Sequence, residues 1–150
     1  MRYILYGLQR ALEPIDELNL GCEGTSWIIS SLLEKNEVPH ILMSGSISHT
    51  NGRVVVPHFW IELDQWIIDF RIRMWFGRNN QGLPHGCFKV NQAREKGFVY
   101  RGEKAINHHL SWCDAVLLSD SLIYEIDNSR LFEQVVEQLG SHGNRQGALW

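Results

Sequence analysis

Three cysteines, Cys22, Cys87 and Cys113, are all that the 150 residues contain. An odd number at such wide spacing is no disulfide framework, and it fits a reducing compartment. No stretch approaches the roughly 18 consecutive apolar residues of a membrane-spanning helix. The opening residues, MRYILYGLQRALEPIDEL, lack the apolar stretch and small-residue cleavage site of a secretory leader. A cytoplasmic location is therefore expected, with leaderless secretion into a host cell left open. Lys and Arg number 14 against 17 Asp and Glu and form no stripe, so nucleic acid is not an expected partner. The sequence has no calcium loop of the D-x-[DN]-x-[DN]-G kind and no internal repeat. It carries no signal of an oligomeric state. What is present is 44% hydrophobic and 21% charged, enough apolar material for one domain over residues 1–150 with a sizeable core.

Apolar positions Ile4, Leu5, Leu8, Ala11 and Leu12 predict a helix over Tyr3–Glu13, stopped by Pro14. In LNLGCEGTSWIISSLLEKNE (Leu18–Glu37), Asn19 is the expected N-cap and Cys22 falls in the first turn. That helix runs to about Asn36 with Ile28, Ile29, Leu32 and Leu33 inward. His40–Ser48 and Arg53–Leu63 read as strands joined through Asn51-Gly52, the strongest short hairpin signal. A third strand is expected over Trp66–Trp75, then a loop over Phe76–Gly86. Cys87–Leu110 has no clear periodicity, and residues 115–119 and 122–126 suit short strands or a helix edge. Ser129 caps a helix to Leu139, and residues 140–150 read as a frayed tail. The order predicts an α+β fold, with N-terminal helices packed on an antiparallel sheet.

The segment His58–Arg71 sorts its own residues. With Asp64-Gln65 as a two-residue turn, Leu63 faces Trp66, Glu62 faces Ile67, Ile61 faces Ile68, Trp60 faces Asp69 and Phe59 faces Phe70. Side chains alternate between faces along a strand. One face then carries Phe59, Ile61, Leu63, Trp66, Ile68 and Phe70, the expected core side. The other carries His58, Trp60, Glu62, Ile67, Asp69 and Arg71. A four-residue loop keeps this sorting, whereas a one-residue slip destroys it. His58 and Asp69 become diagonal neighbours, about 7–8 Å apart at the backbone, within reach of a carboxylate–imidazole bond. Pro57, which lacks an N–H, marks a sheet edge or a bulge beside His58.

Cysteine at a helix start, histidine on a strand and aspartate on the next strand are the parts of a thiol nucleophile system. Helix-start N–H groups favour negative charge on sulfur. The histidine moves the proton and the aspartate fixes its tautomer and orientation. The candidate catalytic residues are thus Cys22, His58 and Asp69. The Cys22 N–H is the expected first oxyanion donor, with the Gln9 side chain as a candidate second. Gly21, Trp60 and Glu62 are expected at the site's edge.

The stretch GCEGTSWIISSLLEKNEVPHILMSGS, followed by HFWIELDQWIIDF, resembles the transglutaminase-like branch of the papain-like cysteine enzymes. That family has a Gly-Cys or Gly-x-Cys helix start, a strand into a glycine, an H-[AS]-W-[IV]-E strand and an aspartate on the following W-hydrophobic-D strand. Cys22, His58 and Asp69 fall on its three catalytic positions in order, and Trp60, Glu62 and Trp66 match flanking positions. The resemblance covers about Asn19–Phe70. Phe59 replaces the usual small residue, Phe70 replaces the common proline, and nothing after about Met74 has a counterpart.

The resemblance implies a papain-like fold and acyl transfer at an amide without a cofactor. The substrate would be a peptide or protein offering a glutamine or peptide amide. Peptidase or amidase action and glutamine deamidation are favoured over protein crosslinking. A non-catalytic binding module that retains the fold is the reading from another class.

Other residues take simpler roles. Glu23 and Thr25 suit first-turn stabilisation, and Asp64 is a competing partner for His58 at the turn tip. His85, Cys87, His108, His109 and Cys113 are zinc-ligand types, but their spacings match no compact finger, so no metal is expected. Trp75, Phe76 and Trp112 are expected to line the core or a pocket.

Overall fold

Leu5, Leu8, Ala11, Leu12 and Ile15 recur at helical spacing and are all buried, which gives helix α1 (Arg2–Asp16) its inward stripe. The computed structural model describes residues 2–77, 82–106, 122 and 124–145 of the chain. Pro14 does not end α1. It sits in the last turn, where the lost N–H costs one hydrogen bond and the helix runs on to Asp16. Helix α2 (Cys22–Lys35) starts one residue after Gly21, which is its N-cap. Asn19, expected to cap it, lies instead in the left-handed region at φ 54° in the connection. Ile28, Ile29, Leu32 and Leu33 face inward as their spacing requires.

Strands β1 (Ile41–His49), β2 (Val54–Leu63), β3 (Trp66–Asp69), β4 (Gly86–Lys89) and β5 (Phe98–Lys104) form one antiparallel sheet in the order β4-β3-β2-β1-β5. The Asn51-Gly52 turn joins β1 to β2, with Gly52 at φ 92°. The β2–β3 register pairs Leu63 with Trp66, Glu62 with Ile67 and Ile61 with Ile68. That is the expected two-residue turn, and Asp64 takes φ 56° to make it. The ladder stops there: Trp60 with Asp69 and Phe59 with Phe70 are not ladder partners. In the β1–β2 ladder His58 faces Gly45 and Val55 faces Ile47, so Val56-Pro57 stands opposite Ser46 alone. This is the bulge that Pro57 required, and the Val56–Pro57 bond is cis.

The third strand is shorter than expected. After Asp69 the chain turns into helix α3 (Ile72–Phe76), because Ile72 is drawn inward while Arg73, Met74 and Trp75 stay exposed. Trp75 is thus a surface residue, and only Phe76 of that pair packs inward. The unassigned segment holds β4, helix α4 (Val90–Glu95) and β5. The final helix, α5 (Arg130–Arg145), is capped by Ser129, whose Oγ accepts the Phe132 N–H at 3.2 Å. It extends into residues expected to fray. Residues 124–127 are helical, and 115–119 lie outside the described residues.

Both faces of the sheet are covered. The larger core joins α1, α2 and α5 to Ile61, Leu63, Trp66, Ile68 and Phe70. The smaller joins Trp60 and Ile67 to Ile47, Ile72, Phe88 and Phe98. The face read as polar is therefore a second apolar layer into which His58 and Asp69 are set. Among the described residues no helix is long and apolar enough to cross a membrane.

Candidate active site

Cys22 is the first residue of α2, half-buried, and its thiol is free. By helix geometry its N–H has no intrahelical acceptor. Gly21 before it offers no side chain to cap that turn, and its carbonyl accepts the Thr25 N–H at 3.0 Å. Its backbone is ordinary, and a Cβ placed there would meet nothing within 4 Å. The turn itself is pinned. Ser26 Oγ donates to the Phe59 carbonyl at 3.2 Å, next to His58. Thr25 Oγ1 accepts from Arg71 Nε at 3.1 Å, two residues beyond Asp69. The expected helix-stabilising role of Thr25 is thus wider, since it ties α2 to the end of β3.

His58 and Asp69 are buried together, and His58 Nε2 lies 2.7 Å from Asp69 Oδ2. The hairpin register dictates this meeting, and Asp64 at the turn tip does not compete for the ring. Burial opposes charge on His58, but the Asp69 carboxylate outweighs it by charge and hydrogen bond. With a smaller push from the Cys22 thiol, the His58 pKa is raised to about 10. The same burial opposes charge on Asp69. The His58 imidazolium, the Arg71 N–H and the Tyr100 hydroxyl outweigh it and hold the carboxyl below its ordinary range.

With Nε2 committed to Asp69, the other ring nitrogen is what remains for sulfur. Nδ1 is buried and makes no hydrogen bond of good geometry among the described residues, yet the Cys22 thiol is near enough to act on the ring. Sulfur and imidazole are adjacent without a well-aligned bond between them. Such contacts often tighten only when substrate is present.

Two residues that sequence reasoning did not assign complete the arrangement. Arg71 is buried. Its N–H donates to Asp69 Oδ1 at 2.8 Å, Nη2 donates to the Asp16 carbonyl at 2.7 Å, and Nη1 pairs with the Asp16 carboxylate at 3.0 Å. It fastens the end of α1, the first turn of α2 and Asp69 in one clamp. Its place on the same face as Asp69 was the available signal. Tyr100 Oη donates to Asp69 Oδ2 at 2.8 Å. It comes from β5, where the run Phe98-Val99-Tyr100 of strand-favouring residues was the available hint.

The remaining site residues fall differently. Trp60 is wholly buried, so it is a backing behind the imidazole and not an open wall. It stacks beside the His58 ring with centroids 6.1 Å apart and 19° between planes. Its Nε1 donates to Glu62 Oε1 at 3.2 Å, which keeps Glu62 on that face. Gln9 is engaged at β4: its Oε1 accepts the Cys87 N–H at 3.2 Å, and its side chain fills the space over Gly86. That bond occupies the carboxamide oxygen, which can only accept; the Nε2 amide is the part of Gln9 able to donate.

A cleft of about 370 Å³ opens beside the site, lined by Asp16, Asn19, Phe70, Arg71, Arg73 and His85 among others. A larger groove of about 500 Å³ runs between α2 and β1 at Trp27, Ser30, Glu34 and His40, and holds none of the three candidate catalytic residues. His85 packs edge-on against Phe70 and is 3.5 Å from Asp16. Burial chiefly, and the Arg73 charge, lower its pKa. Cys87 is buried, and burial pushes its thiol pKa far up. Among the described residues no group of three or more His, Cys, Asp or Glu could hold a metal. His108, His109, Trp112 and Cys113 lie outside the described residues.

No family model, curated protein or solved structure matches the chain.

Proposed function

We propose that the chain is a cysteine enzyme of the transglutaminase-like, papain-like kind, acting on amide bonds through Cys22, His58 and Asp69. One observation carries the reading. A buried imidazole is held by a carboxylate through one nitrogen, while the thiol at a helix start is near enough to raise the ring's pKa. At neutral pH the ring is an imidazolium, which favours a thiolate beside it. The thiolate attacks the amide carbonyl carbon. The developing oxyanion takes the Cys22 N–H. His58 passes its Nδ1 proton to the departing amine as the C–N bond breaks, leaving a thioester on Cys22. Water then attacks the thioester, giving His58 its proton back and freeing the acid. Hydrolysis of a peptide amide or deamidation of a glutamine is the favoured outcome. Crosslinking differs only in using an amine in place of that water.

Iodoacetamide at pH 6 tests the reading. Cys22 should be alkylated fast and selectively, and the selectivity should disappear in His58→Ala. Cys87, buried and with its thiol pKa raised, should label slowly. Mass spectrometry after incubation with glutamine peptides should find an acyl adduct on Cys22. Equal slow labelling of all three cysteines, with no adduct, would mark a binding module instead.

A further inference from the structure

The reaction proposed for Cys22, His58 and Asp69 makes no use of Tyr100, yet its hydroxyl ends on the carboxylate oxygen that holds the imidazole. Tyr100 Oη is 2.8 Å and His58 Nε2 is 2.7 Å from the one atom, Asp69 Oδ2. Asp69 Oδ1 is occupied by the Arg71 N–H. The placement is built and enclosed. The Tyr100 ring packs edge-on against Trp60 with centroids 5.1 Å apart, and Trp60 in turn lies alongside His58. Gly102, two residues on, makes room for this, since a side chain there would stand 2.8 Å from the Trp60 ring. Burial and the neighbouring carboxylate push the Tyr100 hydroxyl pKa well up, so it stays a donor at any pH the protein would meet.

We infer that Tyr100 is a positioning residue that sets the acid strength of His58 by competing with the imidazolium N–H for one oxygen of Asp69. The inference rests on the catalytic reading of Cys22, His58 and Asp69. A carboxylate oxygen that already accepts a strong O–H bond has less charge to offer a second donor. An imidazolium gripped by Asp69 alone would release its proton reluctantly, and protonation of the leaving amine needs a ready acid. The groups that act on His58 are Asp69 from β3, Cys22 from α2 and Tyr100 through Asp69 from β5. Arg71 and Asp16 stand behind Asp69, and His85 faces that pair from the loop before β4.

The test is a graded series at position 100: phenylalanine, tyrosine and 3-fluorotyrosine, the last introduced by codon suppression. Phenylalanine keeps the ring and loses the donor; fluorine makes the hydroxyl a stronger one. In the Cys22→Ala background, the His58 ring is titrated by ¹⁵N NMR, which needs no turnover. Its pKa should climb by about one pH unit in Tyr100→Phe and fall with 3-fluorotyrosine. In the Cys22 protein, Tyr100→Phe should cut kcat on amides about tenfold and leave kcat on matched esters within about twofold, because an ester leaving group needs little protonation. An unchanged or reversed order of His58 titrations overturns the inference, as does equal loss on amides and esters. A protein that turns over neither substrate overturns the catalytic reading, and with it the role of Tyr100 in a reaction. The titration order still decides whether Tyr100 governs His58.

Discussion

At Asp69 each carboxylate oxygen has a partner within the protein, two on Oδ2 and one on Oδ1. Asp69→Asn puts a donor where acceptors are needed and turns an imidazolium-holding group into a neutral one. Turnover should fall by about 100-fold or more, and His58 should titrate well below 10 by NMR. Cys22→Ala removes a half-buried sulfur that makes no disulfide, so urea denaturation should show a loss of under about 1 kcal/mol while the proposed activity disappears. Arg71 behaves oppositely. Its guanidinium serves Thr25 and Asp16 from a buried position. Arg71→Ala should cost about 2–4 kcal/mol in the same measurement, short of a fully buried ion pair because Asp16 keeps some contact with water. Arg71→Lys should recover little, since an ammonium cannot reproduce the guanidinium's separate Nε, Nη1 and Nη2 contacts.

At the scale of elements, Ile61 and Gly45 probe the sheet from its two faces. Ile61→Ala opens a cavity between α2 and β2 and should destabilise by about 2–5 kcal/mol. Gly45 faces Gly102 across the β1–β5 ladder, and a side chain on it would drive into the Arg101 carbonyl. Gly45→Ala should therefore separate β5 from β1, and hydrogen exchange should quicken in β5 first. The hairpin around Asp64-Gln65 was legible because alternation and turn length agree on one register, and that register delivers His58 to Asp69. The inward face of α2 was legible because Ile28, Ile29, Leu32 and Leu33 keep a strict period, whereas its start lies two residues beyond the expected one, with Gly21 in place of Asn19 as the cap. The β3 end was not: Phe70-Arg71-Ile72 continues the strand alternation, but Ile72 reaches the smaller core by turning into a helix. Elements of four to six residues, such as β4 and α4, are too short for either period to register. The second layer was hidden for another reason. On its face the charged His58, Glu62, Asp69 and Arg71 outnumber Trp60 and Ile67, and a count of side chains could not reveal that Phe88 and Phe98 would cover them.

For the whole molecule, the buried His58–Asp69 pair makes stability depend on pH at both ends. The His58 pKa is raised in the folded state, so its contribution is complete below its ordinary 6.5 and is lost as pH rises toward about 10. The Asp69 pKa is lowered, so its contribution is complete above its ordinary 3.8 and is lost as pH falls through the folded value. The Tm difference between the protein and a His58→Gln, Asp69→Asn double variant should accordingly be largest between about pH 4 and 6.5, and shrink on either side.

The proposed triad draws on both layers of the molecule. Cys22 rides on a helix rooted in the larger core, while His58 and Asp69 are embedded beside Trp60 and Ile67 in the smaller one, whose β4 is four residues long and whose α4 is six. The thinner layer has less apolar surface to lose and should loosen first under denaturant. The proposed activity would then cease while the helical signal in circular dichroism is still intact, silenced by local melting well before the chain comes apart.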